Sequence, residues 1–115
     1  MIVVTINIHV RPEKRTEWLQ TICALMSLVR EETGCVSSRF YLDVENDDAF
    51  CLLEEWATQE EMDNHLRSYN CAVLFGAMQL LSEPPEITFR TVSATAGMEA
   101  VQAARKWVAR QREQT

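Results

Sequence analysis

From Ile2 to Val10 the chain alternates. Ile2, Val4, Ile6, Ile8 and Val10 fall on one face, and Val3, Thr5, Asn7 and His9 on the other. A period of two with β-branched enrichment predicts a half-buried strand. Arg11-Pro12-Glu13 ends it, and Pro12 suits the first turn of a helix, where its missing N–H is no loss. Trp18, Ile22, Leu25, Met26 and Val29 then recur at helical spacing. Thr33-Gly34 closes that helix, because glycine accepts the left-handed conformation that a stop commonly uses.

A second strand is predicted over residues 35–44, with Val36, Phe40, Leu42 and Val44 on its apolar face. Glu45-Asn46-Asp47-Asp48 is a polar turn, and a third strand over 49–57 returns from it as a hairpin. Thr58-Gln59-Glu60-Glu61 fits a capping box, Thr and Glu three apart. The helix it opens carries Met62, Leu66, Tyr69, Val73, Ala77 and Leu81 along one stripe, with Ser68-Tyr69-Asn70 a candidate interruption. Ser82-Glu83-Pro84-Pro85 ends it, and residues 86–93 read as a fourth strand through Ile87, Phe89 and Val92. The order strand, helix, strand, strand, helix, strand is the ferredoxin-like split βαβ arrangement. Its product is one four-stranded antiparallel sheet with both helices on one face, an α+β fold.

Two features point beyond a single chain. Helices on one face leave the other face of the sheet uncovered, and the outward set of the first strand is only mildly polar. A bare face of that kind is expected to be an interface, here a homodimer through the sheet. Val73-Leu74-Phe75, Ala77-Met78 and Leu80-Leu81 also make the second helix apolar nearly all round. Its outer side therefore needs a cover, from a partner chain or from the tail. The chain divides into a domain over 1–96 and a helical tail over 97–115. Residues 98–115 hold four basic residues against two acidic ones, while the rest holds seven against fifteen. Ala100, Val101, Ala104, Trp107 and Val108 give the tail a narrow apolar stripe, so docking on an acidic surface or a partner is expected.

The 115 residues suit one domain of this order, and 47% apolar with 24% charged residues excludes a disordered chain. A formal charge of −6 argues against a general nucleic-acid binder. No apolar run reaches the ~20 residues of a membrane span, and the amino end lacks the basic lead of a signal peptide. Cys23, Cys35, Cys51 and Cys71 form no C-x-x-C pair and lie far from His9 and His65 in sequence. They read as small buried groups in a reducing cytoplasm, with no metal motif. With no glycine-rich phosphate loop, no nucleotide cofactor is expected either.

On the third strand, alternation puts Glu54 and Glu55 on opposite faces, so one of them lies on a largely buried surface. A carboxyl group there needs partners. Its ordinary role is a structural acid bonding across the sheet. His65 stands at the border of the helix stripe, where a satisfied boundary residue is the plain reading. The sharper reading is that Trp56, Glu54, His65 and Tyr69 line one cavity between sheet and helix, suited to a planar apolar ligand.

Glu54-Glu55-Trp56-Ala57-Thr58-Gln59-Glu60-Glu61 followed by His65-Leu66-Arg67-Ser68 resembles the E-x-W and H-x-x-S/T pattern of the antibiotic biosynthesis monooxygenase domain. Val10-Arg11-Pro12-Glu13 and Glu31-Glu32-Thr33-Gly34-Cys35 also resemble that domain's "R-P-x" and "E-E-x-G-C" stretches, and the similarity runs over about residues 2–94. It is nearest the quinol monooxygenase branch. The resemblance implies a dimeric α+β barrel and oxidation of a quinol-like aromatic by dioxygen, with no metal or flavin. Trp56, His65 and Glu54 match the family positions. The leading expectation makes His65 the proton acceptor or orienting group, with Trp56 and Tyr69 as aromatic walls and Glu54 as a support for them; Phe40 is also placed in the substrate pocket. Haem-degrading relatives carry an asparagine and a histidine where this chain has Ile6 and Phe75, so haem degradation is disfavoured. The rival expectations are a non-catalytic dimeric binder of a small hydrophobic metabolite and a cofactor-free isomerase.

Overall fold

The computed structural model describes residues 1–114. The first strand, β1 (Ile2–His9), leads through a 3₁₀ turn (Pro12–Lys14) into α1 (Arg15–Val29). The hairpin β2 (Cys35–Asp43) and β3 (Asn46–Trp56) follows. Next come two short helices, α2 (Gln59–Leu66) and α3 (Tyr69–Ala77), then β4 (Glu86–Thr91) and α4 (Met98–Glu113). The sheet order is β2-β3-β1-β4, with every neighbouring pair antiparallel. This is the ferredoxin-like split βαβ fold, with a further helix at the carboxyl end.

The alternation of β1 is realised directly. Ile2, Val4, Ile6 and Ile8 are buried beneath the helices, and they pack with Trp18, Ile22, Met26, Leu52 and Trp56 in one core. Val3, Thr5, Asn7 and His9 point to the opposite face of the sheet, paired with Glu55, Leu53, Cys51 and Ala49 of β3, and none of these four β1 residues is buried.

The structure departs from the sequence pattern in three places. In β2 a register irregularity between Cys35 and Ser37 puts Val36 outside, and Leu42 and Val44 are exposed as well, so Phe40 alone of that apolar set is half-buried. The hairpin turn is only Val44-Glu45. Asp43 accepts from the Glu45 amide and Asn46 from the Asp48 amide, and these local bonds let strand pairing begin at Asn46. The expected single helix after Thr58 is two. Ser68 accepts from the Cys71 amide at 3.1 Å and starts a new helix. The break rotates the apolar stripe, so Met62, His65, Cys71 and Leu74 are buried while Leu66 and Tyr69 are exposed. Among the described residues the four cysteines are free, and no helix is long and apolar enough to cross a membrane.

Candidate active site

Glu54 lies between Val4 of β1 and Ser38 of β2 in the sheet register, so its side chain points to the helix-bearing face. Glu55 points the opposite way. Glu54 is 2% exposed and therefore needs partners inside the protein. The partner comes from α2, whose start is set by Thr58: its hydroxyl accepts from the Glu61 amide at 3.2 Å. His65, about two turns on, is 3% exposed and projects onto β3.

The imidazole is held between two carboxylates. Nδ1 lies 2.8 Å from Glu32 Oε2, and Nε2 lies 3.3 Å from Glu54 Oε1. Glu32 occupies the turn after α1, anchored by a bond from the Cys35 amide to its carbonyl and followed by Gly34 at φ +85°. Asn70 Nδ2 donates to the same Glu32 oxygen at 3.3 Å. Trp56 stacks on the imidazole with centroids 4.5 Å apart and planes 23° from parallel. Burial alone would push His65 towards the neutral form. The hydrogen bonds and charges of Glu54, then of Glu32, outweigh it and hold the group above its ordinary value. A ring that donates from both nitrogens has no lone pair left to accept a proton. Glu54 Oε2, by contrast, is buried and has no hydrogen-bond partner among the described residues.

Glu54 and His65 form part of the wall of a small cavity between the sheet and the later helices. Val4 and Ile6 of β1, Ile87 and Phe89 of β4, Leu66 of α2, and Cys71, Leu74 and Phe75 of α3 complete it. Its interior holds about 20 Å³, room for about one water molecule. Around its mouth stand Leu66, Phe75 and Phe89, which are 39%, 46% and 50% exposed. Apart from Glu54 and His65 the wall offers only the Cys71 thiol as a polar group. Desolvation, with Glu54 and Glu32 nearby, pushes Cys71 up to about 11, so it stays protonated and serves as an apolar surface. The two carboxylates bind opposite ring nitrogens and do not converge on one point. Among the described residues no group of three or more His, Cys, Asp or Glu could hold a metal ion.

The structure thus brings Glu54, His65 and Trp56 together and leaves the other expected residues elsewhere. Trp56 and His65 fill the space between them by stacking, so the hollow expected there lies instead on the β1–β4 side of the imidazole. Tyr69 is 82% exposed at the start of α3 and is not part of the cavity wall, because the Ser68 break turns it outward. Phe40 is half-buried on β2 opposite Leu52, also away from the wall. The aromatic rings at the mouth are Phe75 and Phe89. Ile6 and Phe75 both line the cavity and offer no ligand atom. Glu32 and Asn70 were not singled out from the sequence. The acidic pair before Gly34 was the available signal for Glu32, but only the tertiary fold sets that turn against His65.

Residues 1–77 match the family model described as antibiotic biosynthesis monooxygenase. An uncharacterized protein of Synechocystis, sll1783, is 32% identical over 95 residues, which cover 82% of this chain and 65% of that protein. The chain thus spans slightly less than two thirds of that relative's length. A conserved protein of Methanosarcina mazei superposes with a TM-score of 0.74 at 29% identity, over 77% of this chain and 89% of that one. A solved antibiotic biosynthesis monooxygenase superposes at 0.75 and 17% identity, over 82% and 100%. At that identity the second likeness shows the fold alone.

Proposed function

Because the chain belongs to the antibiotic biosynthesis monooxygenase family, we propose that it is a cofactor-independent monooxygenase acting on a neutral quinol-like aromatic. One observation carries this reading: a Glu32–His65–Glu54 row, buried at His65 and Glu54, that leaves one carboxylate oxygen unpartnered among the described residues in the wall of an apolar cavity. An electron-rich phenol becomes a reductant of dioxygen once it loses its proton, and an oriented base in a dry site supplies that loss. In this reading Glu54 Oε2 accepts the phenolic proton. His65 orients Glu54 through Nε2–H and balances its charge, and Glu32 holds His65. One oxygen atom then enters the substrate and the other leaves as water, with all the electrons drawn from the substrate. The narrow interior admits a hydroxyl group, while the ring lies in the mouth against Phe75 and Phe89. Pairing of two copies through the bare sheet face belongs to the same reading, supported by the mixed polarity of Val3, Thr5, Cys51 and Leu53 on that face.

The test is oxygen uptake with a panel of quinols. The wild-type protein consumes oxygen, and Glu54→Gln loses about a hundredfold or more, the contribution of a positioned general base. His65→Ala loses at least about tenfold, roughly 1.4 kcal/mol of barrier. Unchanged turnover in folded Glu54→Gln removes the proposed base. The small interior favours one rival reading, a non-catalytic binder, which would show saturable quinol binding without oxygen uptake. Anaerobic turnover would instead identify an isomerase using the same base. Light scattering checks the pairing, which a mass near one chain would contradict.

A further inference from the structure

The last helix, α4, is exposed along its whole length, and the molecule measures 60 × 35 × 21 Å as a result. Val101, Ala104 and Val108, with Ala100 and Trp107 beside them, fall on one side of it, and Trp107 is 62% exposed. A 16-residue helix is close to the length at which isolated helices are only marginal in water, so packing of this stripe is what makes it stable. A second apolar surface is also uncovered: the outer side of α3 and the cavity mouth, where Leu66, Phe75 and Phe89 stand exposed. Among the described residues no part of α4 is buried or joins the core.

We infer that α4 of one copy docks across the cavity mouth of a second copy, on the patch formed by Leu66, Phe75 and Phe89. Charge favours this occupant. Residues 98–115 carry four basic against two acidic residues, whereas the remaining chain carries seven against fifteen. The α2 side of the patch carries Glu60 and Asp63 against Arg67. Reach is adequate as well. The helix is about 24 Å long and the connection over residues 92–97 spans up to about 20 Å, enough to cross from the end of β4 to a neighbouring subunit. The consequence is a site whose mouth is closed by its neighbour, so that solvent is excluded only in the assembled protein. This inference stands apart from the proposed oxidation, since it needs only the two apolar surfaces and the charge of α4.

The test uses the full chain with Ala104→p-benzoylphenylalanine, a photo-crosslinker placed within the stripe, in a mixture of light and heavy isotope-labelled protein. Light–heavy crosslinks to peptides containing Leu66, Phe75 or Phe89 support the inference. Crosslinks confined to one isotope show that α4 folds onto its own chain, and crosslinks to the bare sheet face place it elsewhere; either overturns it. Tryptophan fluorescence reads the same event without substitution. Trp18 and Trp56 are fully buried, so Trp107 dominates acrylamide quenching. Loss of that quenching as the protein concentration rises supports docking between copies. Quenching that stays high at all concentrations, or falls only when anionic phosphatidylglycerol vesicles are added, overturns it.

Discussion

Replacing Glu32 by Gln isolates what the acid contributes to the histidine. The amide keeps the shape of the side chain and can still accept from Nδ1–H, so the substitution removes the charge and little else. A hydrogen bond between charged partners contributes about 1.5–3 kcal/mol, against about 0.5–1.5 kcal/mol for a neutral one, so Glu32→Gln is expected to lose about 1 kcal/mol. Glu32 is 19% exposed and its partner 3%, so solvent and salt screen this pair less than a surface pair. The sign follows from the direction of the His65 shift. A group held above its ordinary value of about 6.5 stabilises the fold fully below that value, and the contribution disappears as pH rises through the raised value. Glu54, Glu32, and the thiols of Cys35 and Cys71 are the titratable groups near this ring, and both thiols are pushed up by burial and by the two acids. They therefore stay neutral through the same range. The chain has two histidines, so carbon–proton NMR follows His65 with the exposed His9 as an internal reference. The His65 titration midpoint should fall in Glu32→Gln. Urea unfolding should show the full loss below the ordinary histidine value and a smaller one in alkaline buffer. An unmoved midpoint, or a loss equal at both pH values, would refute the ion-pair reasoning.

Two local changes test how the fold presents the site. Gly34→Ala forces an alanine into the left-handed region and drives its Cβ into the Glu61 side chain; an unfolding free energy lower by at least about 1–2 kcal/mol is expected. Ser68→Ala removes the cap of α3 and should cost about 1 kcal/mol, with faster amide exchange at Cys71, where the capped N–H lies. Equal exchange rates at Cys71 would show that the hydroxyl does not hold the start of α3.

The strands and the first helix were legible because their cores follow simple periods. Ile2 to Ile8 alternate, Trp18 to Val29 recur every three or four residues, and Gly34 marks the stop by its backbone freedom. These are local properties, set by how a strand or helix presents its side chains. The burial of one acid on β3 was also legible, since alternation forces it, but which acid depended on where the helices lie. Local pattern failed where two segments compete or meet. The apolar run from Met62 to Leu81 fits one helix, yet the Ser68 cap splits it, turns Tyr69 to solvent and sends Cys71 and Leu74 inward. Val36 suffered similarly from an irregularity in β2 that sequence spacing does not reveal, while Phe40 kept its core side but lies across β3 from the β1–β4 cavity. The row of Glu32, His65 and Glu54 lies wholly beyond local reading. Its members come from a turn, a helix and a strand, 33 residues apart at the widest hydrogen bond. Their distances exist only once α2 packs on β3 and the Gly34 turn folds beside it. Sequence determines which residues an element can present; which of them meet is decided by packing between elements.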